Sequence, residues 1–215
     1  MPELELPYRL IALDLDGTLL NPQKELTEGN RRALLAAAGR GTHIVPTTGR
    51  FFEGMPEAVR SLPCIRYAIT INGAQVQDRQ TGEVLYRAEI PNRRAIEVME
   101  QLDTLPVIYD CYMDNWGYMT ETLYAQGPAY IQDPHVLKML LELRKPVPEL
   151  KAFLRETGRD VQKIQFFFPT VEERIRRLPQ MQALFPDLNV CSALGNNVEI
   201  NAPAANKGDA LKALC

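Results

Sequence analysis

Residues 10–18 read LIALDLDGT and are the most informative segment of the sequence. Its first four residues form a short apolar run that is typical of a buried strand, and Asp14 and Asp16 follow directly. Because side chains alternate along a strand, residues two apart point the same way, so we expect the two carboxylates to lie on one side. Gly17 then allows the backbone to turn, and Thr18 adds a hydroxyl beside the acids.

Two carboxylates at the end of a strand repel each other unless a cation or a shared proton offsets the repulsion. Asp14 and Asp16 therefore indicate a metal site or acid–base chemistry. The alternative is a structural turn in which Asp16 and Gly17 only close a loop. The motif favours the first interpretation and leaves the second open.

Helix and strand signals alternate after this motif. Thr27 is a candidate N-cap of a helix whose apolar stripe includes Leu34 and Ala38, and the next apolar strand begins at His43. A strand–helix–strand crossover builds a parallel sheet, in which function lies at the carboxyl ends of the strands. Three later segments combine apolar and polar residues in a similar way: HIVPTTGR (43–50), AITINGA (68–74) and EINAPAANKG (199–208).

In their order, these four segments resemble the motifs of the haloacid dehalogenase-like (HAD) phosphohydrolases, and in particular of the Cof-type branch, which has a large cap after the third core strand. The resemblance extends from about Leu10 to the last residue. It implies an α/β fold, in which residues 1–87 and 201–215 form a parallel-sheet, Rossmann-like HAD core and residues 88–200 form an inserted α+β cap domain.

Within the cap, the pattern predicts antiparallel strands with helices on one face. Prolines 128, 134, 146 and 148 interrupt the stretch between residues 123 and 156. This stretch is either a mobile specificity loop or a linker between two parts of the cap.

The resemblance also implies roles for individual residues. Asp14 would be the nucleophile that forms an aspartyl-phosphate, and Asp16 would be the general acid and base. Mg²⁺ would bind the Asp14 carboxylate and the Asp16 backbone carbonyl. Lys207 would open a helix, and Thr48 and Lys207 would bind phosphoryl oxygens. Four more residues become candidates for contacts with the substrate: Gly49, Arg50, Asn72 and Gly73.

Each of these residue types also has a structural interpretation. Lys207 is interpreted either as a phosphate ligand or as a solvated surface lysine. Thr48 is a candidate cap of the turn after its strand. Arg50 either pairs with a structural acid or binds substrate, and the dipeptide 72–73 is equally typical of a turn.

The family's fourth motif, Gly-Asp-x-x-Asn-Asp, supplies further magnesium ligands and is missing from these 215 residues. We therefore expect the core to be incomplete at its C-terminus. In the family, the strand that carries this motif lies beside the strand that carries Asp14. Residues 10–13 would then form an edge strand with an uncovered apolar face. We therefore expect the chain to be marginally stable, to self-associate through that edge, or to need a separate C-terminal piece.

Composition narrows the class of protein. The chain is 46% hydrophobic and 24% charged, with a net charge of -3, so it can bury a core and gives no indication of nucleic acid as a partner. Its four cysteines form no C-x-x-C pair, which is typical of reduced thiols in a cytoplasmic protein. The sequence contains no apolar run long enough for a membrane span and no pattern of a signal peptide.

Together these features predict a magnesium-dependent phosphatase that acts on a small phosphorylated metabolite, with sugar phosphates as one candidate class. Two alternatives stay open. One is a phosphomutase of the same superfamily, which would retain the phosphoryl group. The other is a truncated chain that binds phosphate without turnover.

Overall fold

The computed structural model describes residues 8–192 and 195–215. Its strands are β1 (Leu10–Leu13), β2 (His43–Pro46), β3 (Tyr67–Thr70), β4 (Gln75–Asp78), β5 (Val84–Arg87), β6 (Ile108–Met113), β7 (Trp116–Thr120), β8 (Arg144–Val147), β9 (Lys163–Phe167), β10 (Asn189–Cys191) and β11 (Asn197–Asn201). Its α-helices are α1 (Glu28–Ala38), α2 (Glu57–Arg60), α3 (Asn92–Leu102), α4 (Glu121–Ala125), α5 (Gly127–Tyr130), α6 (Pro134–Leu143), α7 (Leu150–Thr157), α8 (Val171–Leu184) and α9 (Lys207–Leu214).

The chain divides into two compact units. The first unit comprises the residues up to Arg87 together with Asn206–Cys215, and the second comprises Ala88–Ala205. The C-terminal boundary therefore lies at Ala205 and differs from the predicted boundary at residue 200. The reason is that β11 extends to Asn201, whose buried side chain donates a hydrogen bond to the Gln162 carbonyl of the second unit.

A parallel crossover begins the first unit, as predicted. β1 and β2 pair in parallel from Leu10 opposite His43 to Leu13 opposite Pro46, and α1 connects them. The Thr27 side chain accepts a hydrogen bond from Asn30 N and so caps α1. A parallel bridge between Thr47 and Ile69 brings β3 beside β2, and β3, β4 and β5 then form an antiparallel sheet. The carboxyl ends of β1, β2 and β3 consequently lie at one edge.

Alternating side chains give these strands two apolar faces. One face packs with the core around Leu34 of α1, and the other packs around Ala210 of α9. The strand residues on the α1 side include Ile11, Leu13, Ile44 and Ala68, and those on the α9 side include Leu10, Val45, Ile69 and Val76. Helices on both sides of a parallel sheet make an α/β fold, so this part of the predicted fold class is confirmed.

The outer side of β1 carries no strand in the described part of the chain. β1 pairs with β2 alone, and Ala12 in its middle is exposed. The predicted edge strand is therefore present, with its N–H and C=O groups on one side unpaired by any described strand.

The second unit is built on a sheet in the order β10-β11-β9-β6-β7-β8. Neighbouring strands are antiparallel except for β7 and β8, which are parallel. None of the described helices is long and apolar enough to cross a membrane.

Helices lie on both faces of this sheet, so the prediction of helices on one face was wrong. Ile108 and Tyr109 are neighbours in β6 and therefore point to opposite faces. Ile108 packs with residues of α4, α5 and α6, whereas the Tyr109 hydroxyl donates a 2.7 Å hydrogen bond to Asp103 at the end of α3.

The stretch between residues 123 and 156 is regular structure, in contrast to the predicted loop or linker. Pro128 lies in the first turn of α5, and Pro134 is the first residue of α6. At these positions the missing N–H of proline costs nothing, because the first turn of a helix has no partner for it. Pro146 lies in β8, the edge strand of the sheet, where proline is also tolerated.

Candidate active site

A single π-type turn, Leu15–Leu19, follows β1 and presents the two acids of the motif. It is closed by hydrogen bonds from Leu19 N to the Asp14 carbonyl at 3.2 Å and from Leu20 N to the Leu15 carbonyl at 2.9 Å. Gly17 adopts a φ of +76°, which favours glycine. No neighbour lies within 4 Å of where a Cβ atom of Gly17 would be, so the turn requires glycine for its backbone angle rather than for space.

Asp14 is held at both carboxylate oxygens. Oδ1 accepts a 2.8 Å hydrogen bond from Leu15 N, and Oδ2 lies 2.9 Å from Nζ of Lys207. Lys207 is the first residue of α9, and the Asn206 side chain caps this helix by accepting a hydrogen bond from Asp209 N. The prediction that Lys207 opens a helix is confirmed. Both side chains of the ion pair remain substantially exposed.

Two cations surround Asp16. Arg50 donates to both of its carboxylate oxygens, at 2.8 and 2.9 Å, and Lys24 donates to Oδ1 at 2.9 Å. Burial by itself raises the pKa of Asp16, but the hydrogen bonds and charges of Arg50 and Lys24 outweigh it and lower the pKa to about 2. Asp16 is therefore ionised at neutral pH. Arg50 thus pairs with an acid of the first motif, and its predicted contact with the substrate stays a prediction.

Lys24 was missed by the sequence analysis. It lies in the turn between β1 and α1, with a φ of +64°, and its N–H donates to the Asn21 carbonyl at 2.9 Å. A lysine in a polar turn is ordinarily solvated, and no residue near it indicated a partner. The sequence analysis also missed Asn206 as a helix cap. The sequence does contain a signal for it, because an asparagine three residues before an acid is a typical N-cap pattern.

Thr48 follows β2 and is 1% exposed. Its N–H donates to the Ile69 carbonyl at 3.0 Å, and its Oγ1 accepts a 3.2 Å hydrogen bond from Arg50 N. The threonine thus caps the turn after its strand, which is the structural interpretation. A hydroxyl that accepts one hydrogen bond retains its own proton to donate, so this geometry is compatible with phosphate binding as well.

The candidates Asn72 and Gly73 lie in a tight turn after β3. Ile71, Asn72 and Gly73 have φ values of +52°, +62° and +102°. Two backbone hydrogen bonds tie this turn to the end of β2, from Ile71 N to the Arg50 carbonyl and from Asn72 N to the Thr48 carbonyl, both at 3.0 Å. The two predicted motifs therefore contact each other directly.

The oxygen donors of the first motif fit a magnesium ion. Mg²⁺ is typically bound by one or two protein carboxylates and keeps several waters. Asp14 offers a substantially exposed carboxylate, and the non-helical ψ of Asp16 (118°) turns its carbonyl away from the helical direction. Among residues 8–192 and 195–215, no group of three or more His, Cys, Asp or Glu side chains is arranged to hold a metal.

Comparisons with known proteins place this geometry in a family. Residues 11–215 match the sequence profile of the haloacid dehalogenase-like hydrolases. Phosphatase YwpJ of Bacillus subtilis is 26% identical over an alignment 237 residues long, gaps included, and the alignment covers 96% of this chain and 77% of the relative. The HMP-PP phosphatase of Cronobacter sakazakii is 28% identical over 206 residues, which cover 96% of this chain and 71% of the relative.

The solved structures agree on the fold. A HAD/COF-like hydrolase from Plasmodium vivax superposes with a TM-score of 0.77 at 20% identity and covers 96% of this chain and 72% of that chain. The predicted resemblance to the HAD superfamily is confirmed, as is the α/β fold class.

Proposed function

Since the chain belongs to the haloacid dehalogenase-like hydrolases, we propose that it is a magnesium-dependent phosphatase that acts through an aspartyl-phosphate on Asp14. The observation that carries this proposal is the contact between Asp14 and Lys207, at 2.9 Å, at the first residue of α9. The ammonium group and the helix N-terminus put positive charge beside the nucleophile, where the oxygens of a transferring phosphoryl group carry negative charge.

The reaction has two displacement steps. In the first, an Asp14 oxygen attacks phosphorus, the bond from phosphorus to the leaving oxygen breaks, and a protonated Asp16 gives its proton to that oxygen. In the second, water attacks phosphorus, Asp16 takes the proton of the water, and the bond to Asp14 breaks to release inorganic phosphate. Magnesium bound to the Asp14 carboxylate and the Asp16 carbonyl would offset the repulsion between Asp14 and the phosphate.

Asp16 as it stands is in the ionisation state that the second step requires. Its lowered pKa keeps it ionised, although the same lowering makes the carboxylate a weaker base. The first step requires a protonated carboxyl, so the contacts with Arg50 and Lys24 must loosen before Asp16 acts as an acid. Lys24 lies in a surface turn, and its side chain is more exposed than that of Arg50. Movement of this turn is therefore the less costly of the two changes, and the bidentate contact with Arg50 has to loosen as well.

Thr48 and Lys207 are proposed to bind the phosphoryl oxygens, one through its hydroxyl proton and the other through its charge. The second unit is proposed to be the cap that selects the substrate. A small metabolite is supported by the relative named for HMP-PP, and a sugar phosphate belongs to the same chemical class of phosphorylated metabolites. A cytoplasmic location is supported by four free cysteines, Cys64, Cys111, Cys191 and Cys215.

Self-association through β1 is also proposed. Support comes from the outer side of this strand, which carries no partner strand among the described residues, and from its apolar sequence. Arg9 and Asp14 flank the strand, so antiparallel pairing of two copies would bring opposite charges together at both ends.

A panel of phosphate monoesters, assayed with magnesium and with a chelator, tests the phosphatase proposal. We expect turnover with magnesium, none with chelator, and none for Asp14→Asn under either condition. Turnover that survives chelation would refute the metal-assisted mechanism. Phosphate binding without turnover at any magnesium concentration would favour the second candidate, a non-catalytic phosphate-binding chain. That candidate is supported by the absence of a third acidic ligand beside Asp14 and Asp16 among the described residues.

A further inference from the structure

We infer that Gly73 is a positioning residue for Lys207, and that the turn Ile71–Gly73 is the support on which the first residue of α9 rests. The inference depends on the proposed function only in that Lys207 is taken as a phosphate ligand. It assigns Gly73 and Asn72 to the backbone that places the lysine, in place of a direct contact with the substrate.

The turn is held in a backbone conformation that its sequence does not favour. Ile71 is β-branched and fully buried, yet its φ is +52°. Asn72 at +62° and Gly73 at +102° continue in the left-handed region. Such angles are unfavourable for a residue other than glycine, and they persist where the surrounding structure imposes them. The hydrogen bonds to the Thr48 and Arg50 carbonyls are what impose them here.

Gly73 makes a backbone-to-backbone contact with the start of α9. A Cβ atom on Gly73 would lie within 3.0 Å of the carbonyl carbon and oxygen of Asn206, and 3.0 Å from Lys207 N. Real Cβ atoms essentially never approach backbone this closely. Only glycine therefore lets the peptide between Asn206 and Lys207 pack directly on the turn.

At its other end, the turn contacts the second motif. A Cβ atom on Gly49 would lie 2.5 Å from Oδ1 of Asn72, so this glycine leaves room for the asparagine side chain. Asn72 N also donates to the Thr48 carbonyl. A continuous series of close contacts thus runs from Thr48 through Asn72 and Gly73 to Lys207, and it sets the spacing between the two proposed phosphate ligands.

Gly73→Ala tests this inference, and Gly82→Ala is its matched control. Gly82 also has a positive φ, +78°, but no atom of the described residues outside its chain neighbours lies within 4 Å of its Cβ position. Both variants therefore carry the backbone strain of alanine in the left-handed region, and only Gly73→Ala displaces the start of α9. The readouts are inorganic phosphate affinity by calorimetry and amide hydrogen exchange at Asp209 and Ala210, whose N–H groups bond to Asn206.

We expect Gly73→Ala to weaken phosphate binding on the order of tenfold or more and to speed exchange in the first turn of α9, because small displacements of a positioned charge have large effects. Gly82→Ala should change neither. Combined with Lys207→Ala, Gly73→Ala should cause no further loss of phosphate affinity, since the two changes act through one contact. If Gly73→Ala does not fold, Gly49→Ala serves instead. Its Cβ meets a side chain that is able to move, so the same changes should appear at smaller size.

Two results would overturn the inference: equal behaviour of Gly73→Ala and Gly82→Ala, or full additivity of the losses from Gly73→Ala and Lys207→Ala. The phosphatase proposal fails in a different way. If wild type binds phosphate and shows the expected coupling but hydrolyses no ester, the positioning role stands and the catalytic function is refuted.

Discussion

Loss of the buried guanidinium of Arg144 should destabilise the second unit severely. Arg144 Nε donates to Asp110 Oδ2 at 3.0 Å, and Nη2 donates to the Tyr112 hydroxyl at 2.6 Å. The Asp110 and Arg144 side chains are 0% and 3% exposed. In the described part of the chain, Asp110 Oδ1 has no hydrogen-bond partner. Arg144→Met would therefore leave a buried carboxylate without its main counter-charge.

Removing one partner of a buried ion pair typically costs about 3–5 kcal/mol, because the other charge stays desolvated. Burial already raises the pKa of Asp110, with the nearby Arg144 charge working against the rise. In Arg144→Met that pKa rises further, so the folded state holds a proton that the unfolded state releases. Stability of the variant then falls as pH increases above the ordinary pKa of 3.8. We expect a larger loss at about pH 8 than at about pH 5.

Urea unfolding followed by fluorescence measures this loss, since the single tryptophan of the chain, Trp116, lies in β7 of the same unit. The control is Arg155→Met, which removes a 3.0 Å ion pair with Glu100 in which both side chains are about half exposed. That pair should contribute less than about 1 kcal/mol. The double variant Asp110→Leu with Arg144→Met should recover most of the stability. Equal, small losses for Arg144→Met and Arg155→Met would show that the buried pair contributes no more than an exposed one.

Three further predictions concern the first unit. Asp14→Asn should form no phosphoenzyme, whereas Asp16→Asn should accumulate one from an activated ester. Trapping of the phosphoenzyme by acid quench checks both variants. A phosphoenzyme in Asp14→Asn would exclude Asp14 as the nucleophile. Because the pKa of Asp16 is lowered from 3.8 to about 2, its ion pairs stabilise the fold above pH 3.8 and lose that effect as pH falls through about 2. Asp16→Asn should thus be less stable than wild type by about 1–2 kcal/mol at neutral pH, a value that allows for the partial exposure of Asp16, and the two proteins should be equally stable near pH 2. Urea unfolding followed by circular dichroism checks both expectations. A difference in stability that stays constant with pH would contradict them. Ala12→Lys should reduce self-association in light scattering by charging the exposed edge of β1, and a wild type that is monomeric at all concentrations would exclude that interface.

The sequence predicted the elements whose signals are local. An apolar run followed by Asp14 defined β1, Thr27 marked the start of α1, and Lys207 marked the start of α9. Each signal acts within a few residues through capping, alternation or a turn, so tertiary packing had little to change. The convergence of the motifs was also predictable, because parallel strands end at one edge of their sheet.

The prediction of a loop or linker between residues 123 and 156 was wrong because the effect of a proline depends on its position within an element. Proline is disfavoured in the middle of a helix, although α8 contains Pro179, and it is favoured in the first turn. Pro134 begins α6, whose Leu137 and Leu140 pack on the sheet. From sequence alone, the same residue marks either a break between helices or the start of the next one, and packing on the sheet decides between the two.

The charge state of the site depends on contacts that no local pattern encodes. Asp16 meets Arg50, which is 34 residues away, and Lys24, which is 8 residues away in a polar turn. The motif that contains Asp16 predicted an acid–base group, yet these two cations fix it as an ionised carboxylate in the observed arrangement. The proposed acid step then requires that the contacts of Asp16 with these cations loosen. Of the two cations, Lys24 is the more exposed, so its displacement costs less free energy than that of Arg50. A two-step mechanism that uses one carboxyl as both acid and base thus needs a cationic partner that is able to move away from the carboxyl. A lysine on a surface turn meets that need better than a bidentate arginine.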